Sequence, residues 1–168
     1  GLERRIMDMI RFGQENEVIA ERLHRWVRDV MLCHNDAQLA DTLVTQLKYE
    51  FMVPQAAVRL WDTDKQTVRA ELAYLDACQK VGADVRSFAA SLSQPYCGVN
   101  NGFEAAKWFD EDAQVTSLAL VPLHHNGATF GLLALGSPDP TRYSGEMGLA
   151  FLDLLGRLTA AALSRYMA

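Results

Sequence analysis

SLALVPLHHNGATFGLLALGS, residues 117–137, is the stretch on which the fold turns. Two apolar runs flank Asn126-Gly127, a dipeptide that accepts the positive φ angles of a short hairpin turn. The runs, 117–123 and 128–137, therefore read as the arms of a β-hairpin. Neither has a polar face: Leu118 and Leu120 alternate with Ala119, Val121 and Leu123, and Leu132 and Ala134 alternate with Leu133 and Leu135. A strand with one wet face alternates apolar with polar, so these two belong in mid-sheet with a layer on each side. Gly131 within the second arm marks a bulge or a close backbone approach.

Working outward, residues 144–166 carry Phe151, Leu155, Leu158 and Ala162 on one face of a helix, with Ser144 as N-cap and Glu146 placed for the helix dipole. On the other side of the hairpin, residues 77–116 show no sustained period. They contain short helical pieces, a polar Ser/Gln/Asn stretch and glycines at 82, 98 and 102. Irregular inserts of this length in compact domains tend to be lids or binding loops. Earlier still, Ala56–Trp61 reads as a strand, followed by a turn at 62–66 and a second strand near 67–72. Before them, residues 35–50 form a helix capped by Asn35 or Asp36, with Leu39, Leu43, Val44 and Leu47 as its stripe. The expected class is α+β: an antiparallel sheet of about five or six strands, helices 35–50 and 144–166 on one face, the insert on the other.

Residues 1–33 lack proline and read as one long helix preceding a domain at 34–168. Leu2, Ile6, Met9, Gly13, Asn16, Ala20, Leu23, Val27 and Val30 make a heptad seam, the pattern of a helix that pairs with a second copy. Phe12, Ile19 and Trp26 widen the stripe, so the helix can pair at its N-terminal end and dock on its own domain at Trp26. Gly13 is its weak turn.

The 168 residues have 49% apolar and 22% charged composition and a net charge of −5, which argues against a broad nucleic-acid surface. No apolar run reaches the roughly 20 residues needed to cross a bilayer. Three cysteines without paired spacing suit a reducing compartment, and a cytoplasmic location is expected.

The element order, with LVPLHHNGATFGLLALGSPDPTRYSGEMGLAFLDLLGRLTAAAL at its C-terminal third, resembles the GAF domain, a relative of the PAS domain. More narrowly, the chain resembles a bacterial GAF-like family of unknown function in which a coiled-coil-like helix leads into the domain. A PYCG-like element, here Pro95 to Gly98, precedes the hairpin in that family. The resemblance implies a small-molecule pocket between one sheet face and the insert, and flanking helices that pair two subunits. On the insert and the facing strand, Phe88, Tyr96, Cys97, Trp108, Phe109 and Leu118 are the expected ligand-lining residues.

The specialised chemistries of GAF-like proteins find little purchase. Cys78 and Cys97 are not spaced as the clustered cysteines of the methionine sulfoxide reductases, and Cys33-His34 lies far from where a bilin would attach. KWFDEDA at 107–113 lacks the spacer and the Asn-Lys pair of cyclic-nucleotide binders; its simpler reading packs Trp108 and Phe109 while Asp110, Glu111 and Asp112 face water. His124 and His125 sit in a turn without further metal ligands. No nucleophile triad, phosphate loop or Cys-x-x-Cys occurs. The expectation is a non-enzymatic, homodimeric small-molecule-binding or signal-relay domain with its ligand and cofactors unidentified, without nucleic-acid or membrane partners. The alternative is an interaction module whose pocket is filled by its own side chains. A cysteine enzyme built on Cys97 comes third, since a free cysteine is ordinarily a small buried hydrophobe.

Overall fold

The computed structural model describes residues 1–62, 67–143 and 148–168, with the Phe12 side chain excepted. The turn expected at 62–66 and the capping roles expected of Ser144 and Glu146 lie outside the described residues, as does any contact of Phe12.

Helix α1 (Leu2–Leu32) is followed by α2 (Asp36–Phe51), strand β1 (Gln55–Leu60), helix α3 (Ala83–Ser91), strand β2 (Tyr96–Val99), the hairpin β3 (Ser117–His125) and β4 (Ala128–Ser137), and helix α4 (Leu149–Leu163). The described strands form one antiparallel sheet in the order β1-β4-β3-β2, so the hairpin occupies its centre. Asn126 (φ 51°) and Gly127 (φ 78°) both take the left-handed region, as a two-residue hairpin turn requires. The alternation falls as its apolar pattern demands. Ala119, Val121, Leu123, Leu133 and Leu135 pack toward α1, α2 and α4, whereas Leu118, Leu120, Leu132 and Ala134 pack toward the insert. Gly131 is a close approach: a Cβ there would lie 2.8 Å from the Arg59 carbonyl oxygen.

Two expectations about strands are corrected. Among the described residues the sheet has four strands rather than five or six, because residues 67–72 do not join it. Val68 makes an isolated bridge with Met167, the Arg69 N–H donates to Tyr166 O (2.7 Å), and residues 70–72 form a 3-10 turn. The Arg69 guanidinium also pairs with Asp36 and Glu71. The segment's backbone hydrogen bonds thus go to the C-terminus, and β1 is left as an edge. The insert, conversely, supplies a strand: Tyr96–Val99 pairs with Leu120–Ser117. Four residues flanked by Pro95 and containing Gly98 are too few to show a period of two.

The helices follow their signals closely. Asn35 Oδ1 accepts from Ala37 N (2.9 Å) to cap α2, whose Leu39, Leu43 and Leu47 are fully buried. Trp26 is 1% exposed and its indole N–H donates to Leu43 O (3.0 Å), fastening the end of α1 to α2. Arg25 reinforces the junction by reaching the buried carboxylate of Glu50 (3.1 Å). The N-terminal part of α1 behaves differently. Leu2, Ile6, Met9, Val18 and Ile19 are all exposed, so the heptad positions up to residue 20 project beyond the domain core. Tyr166 ties down the other end of the chain, its hydroxyl donating to Asp36 O and accepting from Ala40 N.

Candidate functional site

The insert covers its sheet face with aromatic rings. Phe88 of α3, Tyr96 of β2 and Phe103 meet with ring centroids 6.3, 5.6 and 5.2 Å apart. Beneath them Leu118 is fully buried, and Phe109 presses on the β4 backbone: a Cβ at Gly136 would lie 2.8 Å from the Phe109 ring. Five of the expected lining residues, Phe88, Tyr96, Trp108, Phe109 and Leu118, therefore share one packed layer with Val85, Ala89 and Ala105. Phe103 belongs with them and went unrecognised, because a single aromatic in an aperiodic stretch has no pattern to betray it.

The sixth expected residue, Cys97, does not join that layer. Cys97 follows Tyr96 on a strand, so it points to the opposite face and packs against the helix-side core. Placing it in the insert-side pocket was an error of parity. Burial pushes the Cys97 thiol above its ordinary pKa, and that of Cys78 up to about 11, so neither is poised as a thiolate. Trp108, while packed on that layer, also borders another space.

That space is a cleft of about 410 Å³ along β1. One wall is a face of α2 carrying Ala37, Ala40, Asp41, Val44, Thr45 and Lys48, residues three and four apart. Its floor is 56–59 of β1, and its far side is 75–77 with Trp108 and Asp110. Because Val58 and Leu60 turn to the helix side, Arg59 turns the other way. Its guanidinium lies over Trp108, 5.6 Å from the ring centroid, and one Nη donates to the Asp76 carbonyl oxygen. Half-burial pulls its pKa below the ordinary arginine value, against the opposing pull of Asp76. Among the described residues no carboxylate lies within ion-pairing distance of Arg59 or Lys48. The signal for this site was present in AAVRLW, where one cation interrupts an apolar strand.

A second space is an apolar groove of about 720 Å³ between α1 and α4, lined chiefly by Leu23, Val27, Met31, Leu154 and Leu158. It continues the exposed stripe of α1. Among the described residues no group of three metal-ligating side chains converges, and no helix is long and apolar enough to cross a membrane.

A family model described as "Protein of unknown function, DUF484" matches residues 1–168. No curated protein matches the sequence. Solved structures similar to the chain include the GAF domain of a phosphoenolpyruvate-protein phosphotransferase from Coxiella burnetii, 13% identical, with a TM-score of 0.61 over 87% of this chain and 92% of that one. A free methionine-R-sulfoxide reductase from Neisseria meningitidis, 18% identical, gives a TM-score of 0.61 over 86% and 87% of the two chains. The GAF domain of a putative sensor histidine kinase from Pseudomonas syringae, 13% identical, gives 0.58 over 93% and 92%. At these identities the likeness is one of fold, and the fold is GAF-like.

Proposed function

Since the chain belongs to the DUF484 family and has a GAF-like fold, we propose that it is a cytoplasmic regulatory domain. In this reading it acts as a homodimer and takes a small molecule as its input. The observation that carries the reading is the two-part character of α1. Its C-terminal end is held in the core by Trp26 and Val30, while Leu2, Ile6 and Met9 stand exposed at heptad spacing on the projecting end. An unpaired apolar seam of this kind is stabilised by a second copy of itself. A ligand that prefers one arrangement of the sheet and insert would then bias the pairing of two α1 helices.

The mass of the full chain in solution tests the dimer. Light scattering should give twice the 18.7 kDa of one chain. The double substitution Ile6→Glu, Met9→Glu touches only exposed positions, so it should leave the domain folded and return the mass to that of one chain. A native chain that stays at 18.7 kDa at high concentration would sink the reading.

One observation favours a second reading, an interaction module with no small-molecule input. Leu118 and Phe109 already fill the layer beneath the insert. A thermal-shift screen of metabolites on the unmodified chain separates the two, since a ligand stabilises the state it binds in proportion to its concentration over Kd.

A further inference from the structure

We propose that the cleft along β1 binds a small zwitterion, an α-amino acid or comparable aminocarboxylate, its carboxylate on Arg59 and its ammonium at the acidic rim. The inference rests on the small-molecule part of the functional reading and is independent of the dimer. It places the ligand outside the packed layer under the insert.

The Arg59 end of the cleft suits one carboxylate. A guanidinium has five N–H donors, and among the described residues the protein takes one of Arg59's through the Asp76 carbonyl. Trp108 covers the guanidinium face, which leaves the in-plane edge, where a carboxylate binds through two parallel hydrogen bonds. Arg59 is only partly exposed and, among the described residues, has no carboxylate within ion-pairing distance, so the site gains from an incoming anion.

The rim limits what that anion can be. Asp41, Asp76 and Asp110 line the cleft against Lys48 and Arg59, three negative charges to two positive. These aspartates are exposed at the mouth, and a phosphate or a dicarboxylate would enter past all of them. A molecule carrying an ammonium beside its carboxylate turns that repulsion into attraction. The walls supply the room: Ala37, Ala40, Ala56 and Ala57 stand where larger residues would fill the cleft. At about 410 Å³ the volume lies in the lower part of the range of small-ligand sites.

The probes are the 20 free proteinogenic amino acids, titrated calorimetrically into the full chain, with the N-acetyl and C-amide derivatives of each hit. At least one free amino acid should bind with a Kd below about 1 mM. Blocking either charged end should weaken it by about tenfold or more, the usual scale for losing one charged hydrogen-bonded contact. Arg59→Gln should do the same to the free amino acid, and Ala37→Phe, which fills the cleft without touching Arg59, should abolish binding. Circular dichroism melting checks that each variant folds. No binding of any of them at about 10 mM would overturn the proposal. So would equal binding of an N-acetyl form, equal binding of an amide, or binding retained by the folded Ala37→Phe chain. The Ile6→Glu, Met9→Glu chain should still bind, so failure of the dimer and failure of this site are read separately.

Discussion

Gly156 offers a test of how closely α4 lies on the sheet. It is buried in the middle of a helix, where alanine is ordinarily preferred by about 1 kcal/mol. Here a Cβ would stand 2.6 Å from Val121 Cγ1 and 3.5 Å from the Pro122 carbonyl oxygen. Carbon atoms rest about 3.5–4.0 Å apart, so helix and strand would have to separate by roughly 1 Å. Overpacking of this kind costs about 1–3 kcal/mol. Gly156→Ala should therefore be neutral to about 2 kcal/mol destabilising once the propensity gain is set against it. Val121→Ala alone should cost about 2 kcal/mol, from two lost methyl groups and a partly filled cavity. In the double variant the new methyl occupies the vacated space, so the two effects should couple favourably by about 1–3 kcal/mol. Urea denaturation followed by tryptophan fluorescence measures all four corners of the cycle. A Gly156→Ala chain stabilised by about 1 kcal/mol, or a double variant additive within about 0.5 kcal/mol, would refute the close contact.

Leu118→Trp enlarges a fully buried side chain and should lower the melting temperature by roughly 2–12 °C, at about 2–4 °C per kcal/mol for a domain of this size; an unchanged melt would show spare room beneath the insert. Trp26→Ala should cost about 3–5 kcal/mol and release α1 from α2, read as faster amide exchange across α1; Trp26→Phe should lose less, chiefly the hydrogen bond to Leu43. For the cysteines, burial raises the folded pKa of Cys78 and Cys97, so the neutral thiol is the form the fold favours. Their stabilising effect is whole below the ordinary thiol pKa and is lost as pH rises from there toward about 11, the folded value of Cys78. Alkylation of Cys78 and Cys97, followed residue by residue in the native chain by peptide mass mapping, should accordingly accelerate only above about pH 9, and half-maximal reactivity near neutrality at either would contradict this.

The parts of the fold legible in the sequence were those with a period. Residues 117–137 declared a central hairpin because both faces of each arm are apolar, and Asn35 and the leucines of α2 declared that helix. Parity was legible too: Leu118 and Leu120 turn to the insert as their spacing requires. What was not legible was pairing. Residues 67–72 have strand-like composition, yet Arg69 finds Asp36 and the backbone of the C-terminus, partners about 30 and 100 positions away that no local window contains. Tyr96–Val99 failed in the other direction, being too short to show alternation. The site reading suffered from the same blindness. Cys97 and Tyr96 are neighbours on a strand and so face opposite ways, and four residues in an aperiodic stretch carry no sign of that strand. Arg59 and Trp108 are 49 positions apart, and only the fold brings the cation over the ring.

The single span of α1 has a mechanical consequence. Helix α1 runs 31 residues without a proline, and its attachment to the domain is concentrated near its C-terminal end, around Trp26. From Trp26 to Leu2 is 24 residues, an arm of about 36 Å at 1.5 Å per residue. Rotating that arm by about 10° carries Leu2 through roughly 6 Å, a little more than the pitch of one helical turn. A small rotation where Trp26 meets Leu43 therefore reaches the far tip as a sideways swing of roughly 6 Å, and α1 is a long lever whose base lies in the core.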